Sequence, residues 1–359
     1  MSRIAVIADF LEEKWPSMDL VAEQLAAHLS QLEGVEGVLI RRALRTTQGN
    51  RPATALERAI GRFAQLPIEL APIRLKADYF HIADHSYAHL ALLFPRDRVG
   101  VYCHDIDAFR ALLPGSGASS ARVLLARLLL KGLRHARVVF HSTLTVRDEI
   151  LRYDLVPAAR LVQAPFGIAA EFLNVPAQGE SARPYLLHVG SCIPRKNIEL
   201  LLQIFAAARE RDPSLELVQV GGLWTDAQRA YLERHQVTPH VRQKRGISRD
   251  ELAGLYAAAA VVLVPSFSEG FGLPVIEALA CGAPVVASDI PVLREVSLEG
   301  VLFCPLSDVS SWTRAIEEIR ARGTRASADA RNRVLAHYTW HAHAQTIGDE
   351  YAHATRARR

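Results

Sequence analysis

The feature that most constrains this chain is the alternation of short, β-branched apolar runs with longer helical stretches. Runs at residues 4–8, 37–40, 79–82, 99–103, 138–141 and 161–164 are separated by intervals far too long for hairpins, the first filled by a helix expected from about Met18. A second series follows at 185–189, 215–220, 241–244, 261–265, 285–288 and 301–304. Strands spaced this way are joined by crossovers, so each series predicts a parallel α/β sheet with helices wound on it. Residues 172–184, with two prolines and a Gln-Gly-Glu-Ser stretch, read as the linker between the two series. Two Rossmann-like domains follow, one over 1–175 and one over 183–338, with ligands expected beyond the carboxyl ends of the strands.

Composition narrows the function. Of 359 residues, 50% are hydrophobic and 22% charged, which suits a folded chain and not a disordered one. The net charge of +4 arises from 42 basic and 38 acidic residues with no basic domain or tail, so nucleic acid is not an expected partner. The apolar stretch before Asp9 is too short for a signal peptide and no run reaches the roughly 20 apolar residues of a membrane span, so a cytoplasmic location is expected. Cys103, Cys192, Cys281 and Cys304 are far apart and form no C-x-x-C pair; free thiols are expected, with neither a disulfide framework nor a zinc site.

The chemistry concentrates in Pro265-Ser266-Phe267-Ser268-Glu269-Gly270-Phe271-Gly272-Leu273-Pro274-Val275-Ile276-Glu277-Ala278. An apolar strand runs into a turn with two glycines, and a helix is expected from Leu273 with Pro274 in its first turn. The glycines let backbone approach a ligand, and the amides of a helix start attract phosphate. Glu269 lies on the turn and Glu277 about one turn into the helix, where carboxylates accept hydrogen bonds from sugar or ribose hydroxyls. Hydroxyls at both ends with phosphate between describe a sugar nucleotide. After the first strand of the second series comes Gly190-Ser191-Cys192-Ile193-Pro194-Arg195-Lys196, which places two cations where a diphosphate would lie. Gly246 and Ile247 precede Ser248, which with Glu251 three residues on has the form of a capping box.

The string from Glu269 through Glu277, followed by Gly282-Ala283-Pro284, resembles the signature of retaining glycosyltransferase family 4. The resemblance is specific over about 185–305 and weaker but collinear over 1–170. It implies a GT-B fold, two Rossmann-like domains whose parallel sheets face a central cleft, with a closing helix at about 340–359 returning to the first domain. It also implies a mannosyltransferase-like hexosyl transfer from a GDP- or UDP-linked sugar to a carbohydrate or lipid-linked sugar acceptor, without metal or cofactor and with retention assisted by the donor phosphate. Glu269 would orient the sugar and Glu277 the ribose. Lys196, Arg195 and the amides of Gly270, Phe271, Gly272 and Leu273 would hold the diphosphate, and Gly246 and Ile247 would lie against the base. Ser191 stands where family members commonly carry a basic residue. A sugar-nucleotide epimerase of the same fold and a non-catalytic nucleotide-sugar-binding protein are the alternative readings.

The first half is expected to supply the acceptor side. Asp84 and His85 follow one strand and His104 another, and the resemblance implies a place for His104 near the reacting sugar. Asp105-Ile106-Asp107 is a D-x-D, but phosphate neutralisation by lysine and helix amides is preferred to a metal here. The first loop departs from the family's Gly-Gly turn: Trp15 is a candidate to stack on a sugar or to pack the loop, and Ser17 is expected to cap the next helix. Residues 120–137 form an amphipathic helix, read as a buried crossover, with peripheral contact at the inner membrane face as the alternative.

Overall fold

The computed structural model describes residues 1–13, 15–45, 53–175, 183–323 and 325–356. Two compact units are present, Met1–Gly167 with Trp340–Arg359, and Ile168–Thr339. The first unit ends at Gly167 and not at 175 because the next residues pack with the second: the Ile168 amide donates to the Tyr338 carbonyl at 3.0 Å and Phe172 lies edge-on to Tyr256. Residues 176–182 of the expected linker lie outside the described residues.

The first unit contains β1 (Ser2–Ile7), α1 (Pro16–Leu29), β2 (Val35–Ile40), α2 (Ala55–Ile60), α3 (Leu66–Leu70), β3 (Tyr79–Ile82), β4 (Val99–Cys103), α4 (Ser120–His135), β5 (Val138–His141), α5 (Leu144–Arg152) and β6 (Leu161–Gln163). Its sheet is parallel throughout, ordered β2-β1-β3-β4-β5-β6. Strands β3, β4 and β5 are buried at every position, which is why they read as unbroken apolar runs and not as alternations. Phe80 stacks on Phe94 with ring centroids 4.0 Å apart, in a core that includes Leu90, Phe109 and Leu133. A fully buried side chain of this kind contributes about 1.5–3 kcal/mol. Helix α4 serves as the expected crossover: Ala126, Leu129, Gly132 and Leu133 are buried, and a Cβ on Gly132 would meet the Ala88 carbonyl oxygen at 2.0 Å. Glycine there lets the helix backbone lie directly on residues 85–93.

The second unit contains β7 (Tyr185–Gly190), α6 (Ile198–Arg211), β8 (Glu216–Gly221), α7 (Asp226–Arg234), β9 (Val241–Lys244), α8 (Arg249–Ala258), β10 (Val261–Val264), α9 (Leu273–Ala280), β11 (Val285–Ser288), α10 (Pro291–Ser297), β12 (Val301–Cys304), α11 (Val309–Arg322) and α12 (Ala328–His337). Its parallel sheet is ordered β12-β11-β10-β7-β8-β9. The first strand therefore stands in the middle and the order reverses between β7 and β10, the switch point of a doubly wound sheet. Trp312 of α11 is fully buried, and its indole N–H donates to the Pro305 carbonyl at 2.8 Å. Helix α13 (Trp340–Arg356) belongs to the first unit, where the Tyr351 hydroxyl meets His81 Nδ1 at 3.2 Å.

Two local expectations are corrected. Helix α1 begins at Pro16 with Trp15 at the N-cap, so Ser17 sits inside the first turn and does not cap it. Proline's fixed φ suits that first turn. Ser248 does cap α8, accepting the Glu251 amide at 3.1 Å, but the Glu251 carboxylate goes to Lys244 Nζ at 2.6 Å, so the capping box is half formed. All four cysteines are free thiols, buried except for the half-buried Cys192.

Candidate functional site

The switch point of the second unit brings two loops together. Beyond β7 the chain makes a short helical turn, Pro194–Lys196, and enters α6 through Asn197 in the left-handed region at φ +52°. Beyond β10 it runs through residues 265–272 into α9. The Phe267 amide donates to the Arg195 carbonyl at 2.8 Å and fastens one loop to the other. Across this junction the Glu269 carboxylate receives Lys196 Nζ at 2.5 Å, Arg195 at 3.0 Å and the Ser266 hydroxyl at 2.6 Å. The Lys196 and Glu269 side chains are 9% and 4% exposed, so this is a nearly desolvated ion pair. Burial alone would raise the Glu269 pKa, but the charges of Lys196 and Arg195 outweigh it and hold the carboxyl below its ordinary value. Lys196 has three protons to donate and spends one on Glu269.

Gly272 precedes α9 at φ +94°, and a Cβ there would meet Leu293 at 2.7 Å. Only glycine suits both the left-handed backbone and the close approach. No side chain caps the first turn of α9, and its amides are the groups that bind phosphate at a helix start. Phe271 is buried, edge-on to Tyr338 at 5.4 Å, so its side chain anchors the turn and leaves the backbone to meet a ligand. Leu273 and Gly270 are half-buried.

Glu277 does not join the Glu269 cluster. It is buried in α9 and accepts the Tyr256 hydroxyl at 2.9 Å. Burial pushes its pKa up to about 7, against the pull of that hydrogen bond and the charges of Arg249 and Lys196. Ser191 is exposed just beyond β7, and Gly246, at φ +63°, and the half-buried Ile247 follow β9; all three lie at carboxyl ends of the same sheet.

In the first unit the sheet order reverses between β1 and β3, and charged residues gather beyond those strands and β4. Asp9 and Asp84 are both buried, and Asp9 Oδ2 has no hydrogen-bond partner. Burial and the charge of Asp84 raise the Asp9 pKa well above its usual range. His85 lies 3.4 Å from Asp84 and 3.4 Å from Asp105, and its Nδ1 accepts the His104 amide at 3.2 Å. Burial opposes a charge on His85, yet Asp105, Asp84 and Asp107 outweigh it and raise its pKa. Protonation would turn Nδ1 from an acceptor of the His104 amide into a donor toward Asp84. His104 is buried, donates from Nε2 to the Ala83 carbonyl at 2.7 Å and is held neutral chiefly by burial. Asp84, His85 and His104 are thus in one cluster. Trp15 stands apart in the fold at the N-cap of α1, where it is 40% exposed.

The D-x-D carboxylates have other partners: Asp105 faces His85 and accepts the Asp107 amide at 2.9 Å, while Asp107 pairs with Arg110 at 2.6 Å. Sequence reasoning passed over Ser266 and Tyr256, which hold the two glutamates, and Asp9, Glu13, Arg62 and Tyr87. In that last group Arg62 bonds Glu13 at 3.1 Å and lies over the Tyr87 ring at 4.2 Å. A carboxylate directly after an apolar run, the signal used for Asp84, was equally present at Asp9. Tyr256 carries no such signal, since an aromatic on a helix reads as core.

Residues 174–333 match the family model of glycosyl transferases group 1. Over 254 residues the chain is 30% identical to O-antigen chain mannosyltransferase B of Escherichia coli, covering 66% of this chain and 65% of that protein. Over 199 residues it is 32% identical to O-antigen chain mannosyltransferase RfbU of Salmonella typhimurium, covering 54% of each. The matches thus span about half to two thirds of these curated relatives. Sucrose-phosphate synthase from Thermosynechococcus elongatus superposes with a TM-score of 0.75 at 21% identity, over 99% of this chain and 100% of that one. HepE from Anabaena, in complex with UDP and glucose, superposes with a TM-score of 0.77 at 14% identity, over 98% and 100%. Those likenesses establish the architecture as the GT-B fold, and residues 174–333 are similar to the group 1 glycosyl transferases.

Proposed function

We propose that this protein transfers a hexose, mannose by the likeness of its curated relatives, from a GDP- or UDP-linked donor to an acceptor hydroxyl with retention of configuration, in polysaccharide or glycolipid synthesis. The observation that carries this reading is the junction of Arg195, Lys196 and Glu269 beside the Gly272 turn into α9. There the two cations and the α9 amides take the diphosphate, which leaves as the sugar is transferred, and stabilise the charge that develops on it. Glu269, fixed by three donors, orients the sugar. Glu277, in its ionised form, accepts the ribose hydroxyls. On the other substrate, the cluster of Asp84, His85 and His104 positions the acceptor hydroxyl.

Incubation with GDP-mannose, UDP-glucose and a lipid-linked sugar acceptor tests the reading. A glycosylated acceptor whose new linkage keeps the donor's anomeric configuration supports it. Conversion of the donor into a sugar isomer would make the protein an epimerase, and donor binding without any product a non-catalytic binder.

A further inference from the structure

The chemistry above leaves Asp9 without a role, although its place in the first sheet is well defined. Ile7 and Ile82 are paired in register, and the Ala83 amide continues the ladder to the Ile7 carbonyl at 2.9 Å. Asp9 and Asp84, each two residues further on, therefore emerge side by side where the sheet order reverses, the point at which an open α/β sheet takes its ligands. Both are 4% exposed. The Asp9 carboxyl hydrogen-bonds Asp84, which requires a proton between them, since two buried carboxylates in contact cannot both stay charged. Asp9 Oδ2 nevertheless has no partner. Two further buried atoms share that condition. One is the hydroxyl of Ser86, a residue whose amide donates to Asp84 Oδ1 at 2.6 Å. The other is His104 Nδ1, a bare lone pair because Nε2 carries the proton given to the Ala83 carbonyl. The three unpartnered atoms thus follow the ends of β1, β3 and β4, which are neighbours in the sheet. Buried polar atoms are nearly always paired in native proteins, so such a gathering marks a place where a polar ligand completes the bonding.

Charge decides the kind of ligand. Around Asp9 the acids are Asp84 and Glu13, and the cation that offsets them is Arg62, held by Glu13 at 3.1 Å and stacked over Tyr87. Acids outnumber cations, so an entering phosphate or carboxylate is repelled, whereas a neutral hydroxyl can donate to a carboxyl oxygen and accept from a neighbour. We propose that Asp9 is an acceptor-binding residue whose Oδ2 accepts a hydroxyl of a neutral sugar, beside the hydroxyl that Asp84, His85 and His104 position for transfer. The inference rests on the reading of the first unit as the acceptor side. The proton shared with Asp84 keeps the pair singly charged, so it tolerates burial before the sugar arrives.

Saturation-transfer NMR on the full chain tests this, with methyl α-mannoside, methyl α-glucoside and methyl α-galactoside as neutral probes and mannose 6-phosphate as the anionic one. At least one neutral pyranoside is expected to bind the parent, and mannose 6-phosphate to bind more weakly. Asp9→Leu should weaken binding about 10- to 150-fold, the range for a lost hydrogen bond to a charged group, and so remove the signal of a weak ligand. Asp9→Asn should keep it, because the amide oxygen accepts the same hydroxyl and the amide N–H replaces the proton given to Asp84. Thermal denaturation separates binding from structure: a buried, unpaired oxygen costs stability, so Asp9→Leu should melt at or above the parent temperature. Absence of any neutral pyranoside signal in the parent, unchanged binding by Asp9→Leu, or equal binding of mannose 6-phosphate would overturn the proposal. So would a lowered melting temperature of Asp9→Leu with Asp9→Asn equally unable to bind, which would make Asp9 a structural residue. Failure of the donor reading would show separately, as absence of nucleoside diphosphate binding in the parent.

Discussion

Lys196 Nζ and the Glu269 carboxylate stand 2.5 Å apart across two loops separated by 73 positions in sequence. The residue proposed to orient the sugar thus also neutralises the cation proposed to meet the diphosphate. Lys196→Ala is expected to weaken nucleoside diphosphate binding about 10- to 150-fold, the range of a charged hydrogen bond of about 1.5–3 kcal/mol. It also leaves Glu269 buried with Arg195 as its remaining cation, so the unfolding temperature should fall. Calorimetry and thermal denaturation of the variant check both.

Glu277 supplies a pH dependence. Its carboxyl is pushed up to about 7, mainly by burial, and the ribose-binding role proposed for it requires the ionised form. Nucleoside diphosphate affinity should therefore rise between pH 6 and pH 8, and Glu277→Gln should flatten that rise. Stability moves in the opposite sense. The folded state keeps a proton that the unfolded chain releases near 4.5, so this contribution is full below about 4.5 and is lost as pH rises through about 7, amounting to about 3 kcal/mol. Thermal melts of the Gln variant should thus lose less stability than the parent on going to pH 8.

Buried imidazoles act at the acid end. Burial lowers His81 to about 3 and His343, His188 and His89 to about 4, and His104 is lowered as well. The unfolded chain takes up protons near 6.5 that the folded chain refuses, so this stability is present above 6.5 and is lost as pH falls toward 4. Glu277, Asp9, Glu149 and His85, whose pKa values are raised, act oppositely, while the lowered carboxyls of Glu269 and Asp105 add to the loss at acid pH. The melting temperature should fall steeply between pH 6.5 and 4, with net proton uptake on unfolding by calorimetry. A flat profile would contradict the neutral assignment.

Metal independence is a further expectation. Because Asp105 is engaged with His85 and Asp107 with Arg110, and Arg195 and Lys196 are the groups proposed to meet the diphosphate, turnover should persist in EDTA and in Asp107→Asn. Loss of activity restored by manganese would point instead to the D-x-D.

The strands were legible because parallel strands buried on both faces leave unbroken apolar runs, and Val99–Cys103 or Val285–Ser288 can be read off directly. The turn into α9 was legible because its left-handed backbone demands Gly272 and its first turn suits Pro274. What the sequence hid were pairings across distance. Nothing in the spacing of Arg195, Lys196 and Glu269 says that two of them neutralise the third, since that follows from β7 and β10 becoming neighbours at the switch point. The same holds for Tyr256 on Glu277. At Ser17 a local rule failed because another local rule, proline in the first turn, acts one residue earlier.

The most direct test of the account is calorimetry of nucleoside diphosphate binding to Glu269→Ala and Glu277→Ala, paired with steady-state kinetics. Glu269 is assigned to the transferred sugar, and its removal frees Lys196 and Arg195, so Glu269→Ala should bind the diphosphate at least as well as the parent while kcat falls about 10- to 150-fold. Glu277 is assigned to the ribose, so Glu277→Ala should weaken binding of donor and free diphosphate alike by a similar factor. If Glu269→Ala abolished diphosphate binding while Glu277→Ala left it untouched, the donor would lie the other way round and the assignment of both glutamates would fail.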